Sequence, residues 1–194
     1  QALLRHLAEC GARRLVAVSR RGMSATGMDK LRVELAEFDA ELTVLCGDLG
    51  EPNEVRRIVD AVLDAGPLGS IIHAAGVLDD RLLADIDDAG FERVLKAKAL
   101  AAWHLHQVTT DLDLRRFVLF SSSAGILDGA GQATYAAANV FCDALAHLRR
   151  AQGLPATSIL WGAWAGESGM AAGLDAKAIA RMKRLGLVLT DFHT

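Results

Sequence analysis

RFVLFSSSAGILDGAGQATYAAANVFCDALAHLRRAQ, residues 116–152, joins the most strand-like run in the chain to a glycine-rich loop and then a long helical pattern. Residues 116–121 are a short apolar run suited to a buried strand, and 133–152 carry apolar side chains at helical spacing. Outward from this unit the alternation repeats. Upstream it gives a helix over 2–9, a strand over 14–19, a helix near 28–38 and a strand near 42–46. A helix then opens at Pro52 and runs to about 64, followed by a strand over 70–73 and a longer helix over about 88–110. Downstream lie a strand over 157–161 and a helix near 175–184, and the tail from Leu185 is ambiguous. Strands alternating with helices of this length imply βαβ crossovers. The expected fold is therefore α/β, with a doubly wound, mainly parallel sheet covered on both faces, as one domain over residues 1–194.

Composition narrows the function classes. The chain has 194 residues, 52% hydrophobic and 23% charged, with a formal net charge of −3. That is globular, and it lacks the basic face of a nucleic-acid binder. The apolar runs fall short of the ~18 residues that cross a bilayer, and no signal peptide opens the chain, so the cytoplasm is expected. Cys10, Cys46 and Cys142 match neither a zinc pattern nor a disulfide framework and read as buried free thiols. His104 and His106 stand two apart on a helix and point different ways, while His6, His147 and His193 are isolated; no metal site is expected. His73 reads as structural.

In doubly wound sheets ligands bind outside the carboxyl ends of the strands. Ser19, Asp48, His73 to Gly76 and Ser121 to Ser123 fall at those ends. A dinucleotide unit should open with a strand and a glycine-rich turn, yet no GxGxxG occurs near the start. The helix over 2–9 is expected to be the one that follows that turn. The strand and turn are thus expected before Gln1, on a longer polypeptide. Ser19, Arg20 and Arg21 follow the second strand of the complete unit. Adjacent guanidinium groups suit a ribose 2′-phosphate, where an NAD enzyme would place a carboxylate, so NADP(H) is favoured over NAD. A solvated basic loop is the competing reading. Asp48, next to Leu49, could accept from the adenine amino group or cap the helix at Pro52.

Tyr135 is the only tyrosine; it starts a helix, Asn139 lies four residues on, and Ser122 precedes it by 13 residues. A strand-end hydroxyl and a phenol on the next helix can converge on one carbonyl oxygen, as reduction of a ketone requires. A free phenol, with a pKa of about 10, is too weak an acid near neutrality. One ammonium ~4 Å away, at an effective dielectric of ~20, supplies roughly 4 kcal/mol toward the phenolate. Lys96 and Lys98 are the only lysines between Lys30 and Lys177, and spacing does not choose between them.

The runs HAAGVLDD (73–80), FERVLKAKALAAWHLH (91–106), FVLFSSSAGILDGAGQATYAAANVFCDAL (117–145) and LPATSILWGAWAGESGM (154–170) closely resemble ketoreductase domains of modular polyketide synthases, members of the short-chain dehydrogenase/reductase superfamily. The resemblance covers almost the whole chain, up to about Leu185, and implies a Rossmann-like fold. It implies that Lys98, rather than Lys96, lowers the phenol pKa and holds the nicotinamide ribose. It also implies that Tyr135 donates the proton, Ser122 hydrogen-bonds the carbonyl and Asn139 supports the proton relay. Ala74, Ala75 and Gly76 match the tight turn beside the cofactor, and Trp161 and Gly162 open the segment, through Trp164, that borders the nicotinamide. Two tryptophans there could equally be core packing. Met170 begins the expected lid. Leu78, Asp79 and Asp80 match the LDD signature of members that give the D-configured (3R) hydroxyl, and the opposite class carries tryptophan where this chain has Leu127. Asp128 departs from the small residue usual at its place, and a helix-capping acidic turn is the competing reading of Asp79 and Asp80. The implied function is reduction of a β-ketoacyl thioester held on the phosphopantetheine of an acyl carrier protein, alongside other domains of one synthase. A free-standing reductase of small ketones and a non-catalytic scaffold or fragment are the alternatives.

Overall fold

A computed structural model describes residues 1–127 and 131–164, with Ala180 and Gly186 as isolated positions beyond. Met170, Asp128, the helix expected near 175–184 and the tail from Leu185 lie outside the described stretches. The described chain divides into two compact units, Gln1–Leu68 and Gly69–Thr194.

The first unit runs α1 (Ala2–Glu9), β1 (Arg14–Ser19), α2 (Met28–Ala36), β2 (Glu41–Cys46) and α3 (Pro52–Asp64). β1 and β2 pair in parallel, from Arg14 opposite Glu41 to Ser19 opposite Cys46. A parallel pair needs a crossover, and α2 provides it. One core cluster joins Ala8 of α1, Leu15 of β1, Leu31 and Leu35 of α2, Leu42 of β2 and Ala40 just before it. α3 begins with Pro52, whose missing N–H costs nothing in the first turn. It buries Val55, Ile58, Val59 and Val62 at 3- and 4-residue spacing, a single apolar stripe.

The second unit carries β3 (Ser70–His73), α4 (Asp88–Leu95), a π-helical turn (Lys96–Leu100), α5 (Ala101–Gln107), β4 (Arg116–Ser122), α6 (Ala133–Ala151) and β5 (Thr157–Trp161). β4 is central, parallel to β3 on one side and to β5 on the other. Its burial alternates, with Phe117, Leu119 and Ser121 buried and the residues between them less so. Such alternation marks the two faces of one strand. Val94, Ala99 and Ala138 form a small core in which alanines let α4 and its π turn approach α6 closely.

The described strands pair in parallel as a two-stranded and a three-stranded sheet, in keeping with the α/β expectation. Two other expectations change. The helix expected over 88–110 is broken by the π turn, which the uninterrupted alanine-rich pattern conceals. Of the three cysteines only Cys142 is buried; Cys10 and Cys46 lie at the exposed end of α1 and the exposed end of β2. Among the described residues no helix is long and apolar enough to cross a membrane.

Candidate active site

In the first unit the expected adenosine-side residues sit at strand ends. Ser19 closes β1, and its Oγ is buried with no hydrogen-bond partner among the described residues. Arg20 and Arg21 follow it and are exposed. The chain then turns at Gly22, with φ of 52°, where an added Cβ would come within 3.1 Å of the Cys46 Cβ. That close approach fixes the path of the arginine pair across the end of β2, and the Cys46 thiol donates to the Arg20 carbonyl at 3.3 Å. Asp48, with Leu49 beside it, lies beyond β2 and accepts from the Gly50 N–H at 2.9 Å. This is a local Asx turn, so the helix-cap reading of Asp48 is corrected: Glu51 holds the N-cap position of α3, without a side-chain cap.

In the second unit Lys98, Tyr135 and Asn139 are brought together. Lys98 projects from the π turn and is 3% exposed. Its Nζ lies 5.9 Å from the centroid of the Tyr135 ring and donates weakly to the Ala75 carbonyl at 3.5 Å. Burial pulls the Lys98 pKa below the usual lysine value, while nearby Cys142 and Asp143 act the other way. Burial in turn pushes the Cys142 thiol up to about 11, so it stays protonated and inert. Asp143 accepts a short hydrogen bond from the Ser158 hydroxyl of β5. Lys96, the other lysine of the turn, is only half-buried.

Tyr135 stands in the first turn of α6 and is half-buried. Asn139, one turn on, is fully buried; its Nδ2 donates to the Tyr135 carbonyl at 2.7 Å, and its Oδ1 has no partner among the described residues. An unmatched buried acceptor costs free energy and marks a place where a donor is expected to arrive. Ser122 ends β4, and its Oγ accepts from the Ala124 N–H at 3.2 Å, opening the turn that leads to α6. Two residues that the sequence places at strand ends without a catalytic or binding role also have a part in this arrangement. Ser121 donates to the Asn139 carbonyl at 3.2 Å, pinning α6 to β4, and His73 meets the Lys98 carbonyl at 3.0 Å. The pattern SSS hides the first, since three adjacent hydroxyls look alike until strand alternation assigns their faces.

Ala74 and Ala75 are exposed beyond β3, and Gly76 and Leu78 are half-buried. Asp79 pairs with Arg81 at 2.9 Å and with Arg93, and Arg81 also pairs with Asp87. The Asp79 carboxylate lies against Gly90 and would have to shift to admit a Cβ there. Asp80 accepts from Gln132 Nε2 at 3.2 Å, and the Arg81 N–H donates to the Gly131 carbonyl at 2.8 Å. The capping reading of Asp79 and Asp80 is therefore corrected. Asp87 caps α4 through the Gly90 N–H, Asp79 pairs the loop after β3 with Arg93 of α4, and Asp80 ties that loop to Gln132 in the segment before Tyr135. An apolar cleft of about 580 Å³ opens along that seam, lined by Leu82, Leu83, Ile126, Leu127, Gln132 and Ala136 among others. Trp161, Trp164 and Phe120 form an aromatic cluster, the two indoles edge to face at 4.7 Å. Trp161 Nε1 is a further buried donor with no partner among the described residues, and Gly162 follows it.

Comparison with known proteins agrees with this arrangement. Residues 1–166 match the KR domain family. The chain is 48% identical over 188 residues to polyketide synthase GfsB of Streptomyces halstedii, covering 96% of this chain and 3% of that protein. It is 46% identical over 173 residues to erythronolide synthase EryA2 of Saccharopolyspora erythraea, covering 89% and 5%. The chain thus spans a small fraction of the curated relatives it matches. The solved first ketoreductase of the tylosin synthase superposes with a TM-score of 0.86 at 44% identity, over 98% of this chain and 40% of that one. A parallel sheet of short-chain dehydrogenase type, a lysine and a tyrosine on adjoining helices and these similarities lead to one assignment: the chain belongs to the KR domain family, the ketoreductase domains of modular polyketide synthases.

Proposed function

We propose that this domain is an NADP-dependent oxidoreductase that reduces a β-ketoacyl thioester, presented on the phosphopantetheine arm of an acyl carrier protein, to the D-configured (3R) β-hydroxyacyl thioester. The observation that carries the reading is the buried Lys98 ammonium 5.9 Å from the ring of the lone tyrosine, with Asn139 locked one turn away. NADPH, when bound, supplies the hydride. Tyr135 gives the proton to the carbonyl oxygen as hydride reaches carbon, Ser122 donates a hydrogen bond to that oxygen, and Lys98 stabilises the phenolate left behind. The unmatched Asn139 Oδ1 suits a donor in a proton relay.

In each unit the donors suit a part of such a cofactor. Arg20 and Arg21 offer planar, charge-assisted hydrogen bonds to a 2′-phosphate, and the orphaned Ser19 Oγ beside them lacks a partner that ribose or phosphate would supply. Asp48 and Leu49 suit the adenine, and Ala74 to Gly76 leave room for close approach. Lys98 would hold the nicotinamide ribose, and Trp161 and Gly162 would border the ring. The acyl chain would enter along the apolar cleft, with Leu78, Asp79, Asp80 and Leu127 governing which face of the ketone is presented. The other catalytic domains of the same synthase and its carrier protein are the partners this reading requires. The cytoplasm, where free thiols persist, is the compartment that suits it.

The test is reduction of a short β-ketoacyl thioester by the domain in its natural polypeptide, followed by loss of nicotinamide absorbance and by chiral chromatography. Turnover with NADPH well above that with NADH, and a 3R product, are expected. Absence of any reduction would remove the assignment, and a 3S product would remove only the stereochemical part.

A further inference from the structure

His73 ends β3 with its ring 2% exposed. A histidine this deeply buried is costly unless its polar atoms are matched. Its Nε2 lies 3.0 Å from the Lys98 carbonyl oxygen. A carbonyl only accepts, so Nε2 carries the proton and donates. Burial drives the His73 pKa from 6.5 down to about 4; the hydrogen bond opposes this and the charge of Lys98 reinforces it. The ring is therefore neutral throughout the working range, in the tautomer the carbonyl selects.

The carbonyl it meets belongs to the π turn. There the Ala101 N–H reaches back five residues to the Lys96 carbonyl and also toward that of Lys98, so the four-residue register of the helix is lost. A carbonyl oxygen accepts two donors, and His73 brings the Lys98 carbonyl a second one from the neighbouring strand. The same lysine is held at its other end, where Nζ meets the Ala75 carbonyl. Residues 73–75 thus grip Lys98 by its backbone and by its ammonium.

We infer that His73 is a positioning residue for Lys98: its Nε2–H locks the π turn so that the Lys98 ammonium stays against Ala75 and the Tyr135 ring. The functional consequence rests on the reductase reading above. His73 itself touches no reacting atom.

The test uses the domain in its natural polypeptide, with His73→Phe, which keeps a ring and removes the donor, and His73→Gln, which keeps an N–H at similar reach. Two readouts are followed: turnover against pH, and the rate at which an amine-modifying reagent labels Lys98, mapped by peptide mass spectrometry. His73→Phe is expected to lower kcat about tenfold or more with KM for the thioester little changed, because small misplacements of a reacting group cost on that order. It should also speed labelling of Lys98, and His73→Gln should return both toward wild type. Wild-type kcat and labelling in His73→Phe would overturn the inference, as would a His73→Gln variant as impaired as His73→Phe. If His73→Phe does not fold, His73→Gln is compared with the shorter His73→Asn: wild-type labelling in the first alone supports the inference, and equal labelling overturns it. A wild-type domain that reduces no ketone would sink the reductase reading, while Lys98 labelling would still judge the role of His73.

Discussion

The end of β1 and the end of β3 present opposite kinds of chemistry. After β1 come two exposed arginines on a turn whose course is set by one glycine against Cys46. After β3 the polar groups are interior: His73 and Lys98 are buried, and across α6 so is Asn139. An exposed guanidinium pair can be exchanged with little disturbance to packing, so it is suited to choosing a ligand. A buried ammonium needs matched neighbours on every side, so it is suited to a fixed catalytic task. On the proposed function, specificity falls to an exposed place and chemistry to a buried one, and the variants that probe them should differ in kind as well as size.

The largest effect belongs to the interior. Tyr135→Phe should lower turnover about 10³-fold, within the span of general acid catalysis, and leave thermal stability nearly unchanged because the ring remains. Lys98→Met should cost about 10²-fold, whereas Lys96→Met should stay within about twofold. Steady-state rates on the same thioester check all three. A larger loss from Lys96→Met than from Lys98→Met would reverse the contrast between the half-buried and the buried lysine.

Next in size is an effect on stability. The folded-state pKa of His73 is about 4 against an ordinary 6.5, so between those values the unfolded chain binds a proton that the folded one does not. Stability from this residue is whole above pH 6.5 and falls as pH drops toward 4, by about 3 kcal/mol in total. Denaturant titrations across that window should show the fall in wild type and a shallower one in His73→Gln.

The sequence made the alternation of strands and helices legible because each element is long enough to show its period. β4 and α6 in particular keep theirs without interruption, from Phe117 to Ala151 apart from the loop between them. Tyr135 and Asn139 were legible for the same reason, since four residues on a helix place both on one side. The choice of Lys98 over Lys96 came from resemblance, not spacing. The π turn left no trace in the pattern: Val94, Lys98, Ala102 and Leu105 keep intervals that an unbroken α-helix would also show. The grip of His73 was equally hidden, because a strand-end histidine looks the same whether it bonds a neighbouring carbonyl or faces a ligand. The acidic residues after Leu78 misled for a related reason. Asp79, Asp80 and Asp87 are all potential caps by type, and only the three-dimensional course of the loop assigns the cap to Asp87 and the arginines to Asp79.

The smallest expected effect tests the exposed end of the comparison. Replacing Arg20 and Arg21 together with alanine removes two exposed cations and no buried contact. A charge-assisted hydrogen bond to phosphate is worth about 1.5–3 kcal/mol when well formed, and exposure and salt pull it toward the lower figure. KM for NADPH should therefore rise about tenfold, since 1.4 kcal/mol is a factor of ten. KM for NADH, which lacks the 2′-phosphate, should hardly move, and kcat at saturating cofactor should stay within about twofold because Lys98 and Tyr135 are untouched. Raising ionic strength should shrink the NADPH penalty of the variant relative to wild type. An equal loss for both cofactors would mean that the arginine pair supports the turn after β1 and does not read the phosphate, and the division between an exposed selecting edge and a buried catalytic interior would fail at its weaker end.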